Sequence, residues 1–170
     1  FNYLYEADGN TFKNWPHPHC VLNPPSTCVW ASNWEVNSYI VFSFKKHLIR
    51  MTNYTYIVRY DQSANMPRGW KLEASNDKEN WELLHNVTNC SDLDTHNVYK
   101  TYPCVSIGAH KYFRIMQTQT NWNNGLHLHV AKLEFFGTIY SSSDPFIKHS
   151  CETKTNVNNI FILFIVSFCV

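Results

Sequence analysis

The sequence predicts an all-β sandwich or barrel, and three observations lead there. Several short runs alternate apolar and polar residues with a period of two, the signature of strands with one buried face. The 170-residue chain holds ten Tyr, eleven Phe and six Trp against only five Gly, a balance that favours strands over helices. No segment carries a sustained 3.6-residue apolar stripe, and turn signals recur between the runs. A hydrophobic share of 44% is ample for one packed core. The net charge of +1 supplies no field to draw nucleic acid or anionic lipid, so no nucleic-acid partner is expected.

In chain order, residues 1–29 read as a lead-in with a short strand and proline loops. Trp15-Pro-His-Pro-His19 and Asn23-Pro-Pro-Ser26 are loops, because proline removes ladder donors. Ile40, Phe42 and Phe44 share one face of a strand, and Lys45-Lys46 mark the turn that follows. Tyr54, Tyr56 and Val58 form the next alternating run, and residues 61–68 form a loop. Trp70, Leu72 and Ala74 then lead through the polar turn Asn76–Asn80 to Trp81 and Leu83, a hairpin expected to point both tryptophans at the core. Residues 98–105 are an edge-like strand interrupted at Pro103. Phe113 and Ile115 lie on one face of another strand. Leu128 and Val130 share a face, and the phase then slips to Leu133 and Phe135, which predicts a bulge near Ala131-Lys132. The sandwich spans residues 30–140. Residues 141–159 are a polar linker, and the apolar tail 160–170, too short for a full span, is a candidate for membrane attachment.

Six cysteines allow staples between Cys20 and Cys28 and between Cys90 and Cys104. Asn53, Asn86 and Asn89 head Asn-x-Ser/Thr sequons, which leave the compartment open. The chain begins at Phe1 rather than Met, and a leader is neither claimed nor denied.

Asn37-Ser-Tyr-Ile-Val-Phe-Ser-Phe-Lys45, Pro67-Arg-Gly-Trp70, Glu73-Ala-Ser-Asn-Asp-Lys-Glu-Asn-Trp81, Tyr112-Phe-Arg-Ile-Met-Gln-Thr118 and Leu133-Glu-Phe-Phe-Gly137 together resemble the discoidin family. This is the coagulation factor 5/8 type C domain, in the galactose-binding-like superfamily. The match is closest to the intracellular-type members found in protists and beside BTB domains. Two departures stand out. The first strands and ligand loop are compressed into residues 16–34, and Val41 and Ser43 stand where relatives often carry acidic residues. The resemblance implies an eight-stranded jelly-roll β-sandwich with binding loops at one end, no catalytic residues and no cofactor.

Three loops then become the expected binding end: residues 28–35, 61–68 and 119–127. Sugar recognition needs an aromatic face for the ring's C–H surface and planar donors and acceptors for its hydroxyls. Trp30 or Trp122 supplies the face, and Arg68, Asn123, Asn124 and His127 the polar set. Aromatic and arginine anchors serve interfaces equally well, so a protein or peptide partner is the leading expectation and a glycan the alternative. His127 and His129 are expected on the solvent side of their strand, and with His17, His19 and Cys20 they offer soft metal ligands, although no metal site is expected. Asp8 and Asp61 are the calcium candidates. The motifs of serine hydrolases, phosphate loops and zinc proteases do not occur, which leaves a metal-dependent hydrolase a distant third. An intracellular setting is the first expectation, with membrane attachment or the cell surface as the alternative.

Overall fold

The computed structural model describes residues 5–9, 17–21, 29–58, 65–94, 98–104 and 106–141. Among them are ten strands: β1 (Tyr5–Gly9), β2 (Trp30–Ala31), β3 (Tyr39–Phe44), β4 (His47–Ile57), β5 (Trp70–Ser75), β6 (Glu82–Val87), β7 (Tyr99–Pro103), β8 (Tyr112–Gln117), β9 (His129–Val130) and β10 (Lys132–Ser141). Eight of these build two antiparallel sheets, one in the order β1-β3-β8-β5-β6 and one in the order β10-β4-β7. The two-residue strands β2 and β9 pair with each other beside them. This is the expected all-β sandwich. The lead-in strand joins it directly, since β1 pairs with β3 along its length.

The alternating residues meet between the sheets. Phe42, Phe44, Leu72, Ala74, Phe113 and Ile115 from the larger sheet face Met51, Tyr54, Tyr56, Leu133 and Phe135 from the smaller one. Phe42 meets Phe135 edge-on at 5.0 Å between ring centres, the T-shaped geometry that aromatic quadrupoles favour. Two polar groups are satisfied inside. The Trp70 indole N–H donates to the Tyr54 oxygen at 2.8 Å, and that hydroxyl bonds Nδ1 of His85 at 2.9 Å. Because an indole only donates, the Tyr54 proton is left for His85, whose Nδ1 must then be the unprotonated acceptor. Desolvation lowers the His85 pKa, in agreement with a neutral ring.

Four expectations need correction. Trp81 does not enter the core: it lies just before β6, its indole N–H donates to the Lys78 carbonyl, and Leu83 after it is 56% exposed. The reason is position, because β6 is the outer strand of its sheet and a register shift at Leu72/Glu73 turns its side chains relative to β5. The phase slip near Ala131 is not a bulge. Chain direction changes there from β9, paired with β2, to β10, paired with β4, and the register shift of that ladder sits at Phe136/Gly137. A Cβ on Gly137 would strike the Arg50 carbonyl, so the close approach of the strands requires glycine. Cys90 and Cys104 are buried free thiols rather than a staple. His129 is buried in β9, not solvent-facing.

Other expectations hold. The Asn76–Asn80 turn is tied by Asp77, whose carboxylate accepts from the Glu79 and Asn80 backbone N–H groups and from the Asn80 amide and Ser75 hydroxyl. These bonds to the charged form hold its pKa well below the usual carboxylate range. The Pro103 strand, β7, is an edge strand. Cys20 is disulfide-bonded. The Cys28 pairing, Asp61, the linker and the apolar tail lie outside the described residues. No helix among those described is long and apolar enough to cross a membrane.

Candidate functional site

The start of β5, the end of β8 and the end of β6 lie at one end of the larger sheet, where Trp70 pairs with both Gln117 and Val87. The loops that leave there bring the expected residues together. Gly69 accepts from the Thr118 N–H, Arg68 accepts through its carbonyl from the Cys90 N–H, and Met66 accepts from the Trp122 N–H. The segment 65–69, the β6–β7 loop and the loop after β8 are thus laced by backbone bonds.

Within that weave Arg68 and Trp122 form a unit. The guanidinium stands over the Trp122 ring at 5.0 Å from its centroid, and its Nε donates to the Asn89 side-chain oxygen at 3.0 Å. The Trp122 indole N–H donates to the Cys90 carbonyl at 3.0 Å, which fixes the ring. Asn89 is itself held, since its backbone N–H donates to the Gln119 side chain at 2.8 Å. Trp122 still keeps 40% of its surface exposed. It both braces the loop and faces solvent.

The loop 119–127 is shaped from inside by Asn121. Its buried side-chain oxygen accepts from the Asn123 and Gly125 N–H groups, while Asn124 takes a left-handed backbone with φ of 57°. Asn123 and Asn124 are therefore presented outward, and Asn123 donates to Asn65 at 3.3 Å. His127 is half-buried: its Nδ1 bonds the Ser32 carbonyl at 2.7 Å and its ring meets Trp34 edge-on at 4.7 Å. Since a carbonyl only accepts, Nδ1 carries the proton.

Trp30 is not part of this surface. It is fully buried in β2, against the Gly9 backbone and within the core, and can offer no face to a ligand. The exposed aromatic of that loop is Trp34, 58% accessible. Local polarity was the usable signal: Trp30 sits in the apolar run Val29-Trp-Ala31, whereas Trp34 lies between Asn33 and Glu35. The Ser38 hydroxyl donates to the Asn33 and Glu35 carbonyls and Asn37 adopts φ of 57°, so the turn that carries Trp34 is preformed. A Cβ on Gly125 would touch the Trp34 ring, which puts both tryptophans against the same loop.

This end offers stacking and hydrogen-bonding groups. Aromatic faces, a guanidinium and amides are assembled on loops locked by buried polar side chains, so little is lost in ordering them on binding. Among the described residues no group of three or more His, Cys, Asp or Glu is placed to hold a metal ion. At the other end, Ser106, His110 and Glu82 make a hydrogen-bonded row, with His110 Nδ1 3.1 Å from Ser106 and Nε2 3.1 Å from Glu82. Ser106 is buried and donates to the Gly108 carbonyl, so its hydroxyl is not offered to a substrate.

No family model matches the chain, and no curated protein matches it. Solved structures do. A family 32 carbohydrate-binding module attached to a family 31 glycoside hydrolase of Clostridium perfringens superposes with a TM-score of 0.64 at 17% identity, over 79% of this chain and 92% of that one. Another family 32 module from that organism, in complex with galactose, gives 0.63 at 12% identity over 77% and 92%. A third, in complex with GalNAc-β-1,3-galactose, gives 0.62 at 13% identity over 77% and 94%. The chain has the discoidin-type, galactose-binding-like jelly-roll fold of these modules.

Proposed function

We propose that the chain is a non-catalytic glycan-binding module that takes a sugar ring at the loop end. The observation that carries this reading is Arg68. It is seated on Trp122 and bonded only through Nε to the neutral Asn89, which leaves its terminal N–H groups uncommitted among the described residues, in a loop cluster that also presents Trp34. A guanidinium with open donors bonds adjacent sugar hydroxyls, and an exposed indole covers the C–H face of the ring. Trp34 is the platform, Trp122 the seat of Arg68, and Asn123, Asn124 and His127 the rim.

The sugars held by similar solved modules, among them galactose and 4,5-unsaturated mannuronic acid, favour the glycan over the protein or peptide partner expected first. A secreted or surface-exposed setting suits this function better than an intracellular one, and the Cys20 disulfide supports it. The free thiols are compatible with such a setting, because burial pushes the Cys104 thiol up to about 11 and leaves little reactive thiolate at neutral pH. The experiment is a glycan array probed with the purified chain, followed by titration of the best sugar into wild type and Trp34→Ala. Saccharide binding weakened by the substitution is expected. An array without saccharide signal, combined with capture of a protein through Arg68, would return the reading to a protein partner.

A further inference from the structure

The three sequons are not equivalent once folded. Asn53 is half-buried in β4, the middle strand of its sheet, between Pro103 of β7 and Phe136 of β10. Asn89 is exposed, but its side-chain oxygen accepts from Arg68 and Gln119. Asn86 is exposed on β6, makes no side-chain hydrogen bond among the described residues, and belongs to a strand whose far edge pairs with none of the described strands. Its sequon, Asn86-Val87-Thr88, extends from the end of the strand into the following loop.

We propose that Asn86 is an acceptor for an N-linked glycan, in a chain that matures where disulfides form. The Cys20 disulfide is an independent sign of that compartment. In the transfer, Asn86 Nδ2 forms a bond to the anomeric carbon of a lipid-pyrophosphate-linked oligosaccharide. The sugar–phosphate C–O bond breaks, the lipid pyrophosphate leaves with its electron pair, and one amide proton passes to a base of the transferase.

The placement has a physical consequence. An outer strand presents unpaired backbone donors and acceptors that invite pairing with another chain, and β6 also exposes Leu83. Asn86 on β6 sits opposite Lys71 and bonds none of the Arg68 cluster, so a neutral, hydrated glycan there stands beside that edge without displacing an Arg68 contact. A glycan on Asn89 would instead stand in the mouth of the loop end. The structure therefore assigns occupancy to Asn86 and not to Asn89.

The test directs the full chain into the secretory pathway of a eukaryotic cell with an added leader, then reads electrophoretic mobility before and after N-glycosidase, with peptide mass spectrometry. The expected result is a shift of one glycan, abolished in Asn86→Gln and in Thr88→Val and kept in Asn89→Gln. A secreted wild-type chain without glycan overturns the proposal, as does a shift lost in Asn89→Gln but kept in both Asn86→Gln and Thr88→Val. Sugar binding by unglycosylated chain made in bacteria is read separately, so its failure and the failure of this assignment are distinct.

Discussion

Among the described residues are two arginine–tryptophan stacks, and they differ in how the arginine's charge is met. On the outer face of the larger sheet Arg114 lies 4.1 Å from the Trp81 ring centroid, with its Nε and Nη2 both on the Glu73 carboxylate at 2.8 and 2.6 Å. Lys71 binds the other oxygen of that carboxylate at 2.7 Å. At the loop end Arg68 lies 5.0 Å from Trp122, but its one side-chain partner is the neutral oxygen of Asn89. Arg114 is mostly buried and its charge is matched, so it fastens β8 to β5. Arg68 is half-exposed with its charge unmatched by any carboxylate among the described residues. The matched arginine holds the fold together, and the unmatched one on its rigid seat is the contact proposed for the ligand.

The largest expected effect is on stability. Glu73→Ala leaves Arg114 without its carboxylate in a desolvated position, and urea unfolding should show a loss of about 3 kcal/mol. Arg68→Ala should change stability by no more than about 0.5 kcal/mol. Equal losses would erase the distinction between the stacks. Next comes binding: Trp34→Ala should weaken saccharide affinity by about tenfold, or about 1.4 kcal/mol, without lowering the unfolding midpoint, as calorimetry and urea melts of the same sample would show. Trp122→Ala should lose both affinity and stability, because the ring also anchors Cys90 through its N–H.

A smaller effect sharpens the contrast directly. Asn89→Asp gives Arg68 the carboxylate that Arg114 already has, and sugar affinity should fall by roughly threefold, about 0.7 kcal/mol, with stability unchanged or slightly raised. Stronger binding in this variant would contradict the role given to the unmatched charge. The smallest effect is on pH. Burial lowers the pKa of His85, and of His110 despite the opposing pull of Glu82, from the ordinary 6.5. The unfolded chain then binds protons that the folded chain does not, so stability is complete above pH 6.5 and declines as pH falls toward the folded values. Melting followed from pH 7.5 to 5 should show this decline, and His85→Gln should flatten part of it.

The sheets were legible in the sequence because burial on one face imposes a period of two, as at Ile40-Phe42-Phe44 and Trp70-Leu72-Ala74. Order in the sheet was not. Trp81 and Leu83 follow the same period as buried residues, and only the place of β6 at the outer edge turns them away from the core. The loop end was legible as a set of loops, and the structure places Arg68, Trp122, Asn123, Asn124 and His127 on them. The open face expected of Trp30 is absent because β2 pairs with β9, a long-range contact with a two-residue signature in each strand that buries the ring. The tying roles of Asn89, Asn121 and Gln119 were not legible, because a side chain that ties a loop from within looks, along the chain, like any polar turn residue.

Arg68, and not the matched Arg114, is the arginine proposed to meet the ligand. The most direct test is a saccharide titration, by calorimetry or ligand-observed NMR, of wild type and Arg68→Ala with the sugar that scores highest on the array. Wild type should bind measurably, with a loss of at least about tenfold in the variant at unchanged melting temperature. Undiminished affinity in a folded Arg68→Ala chain would contradict that proposal.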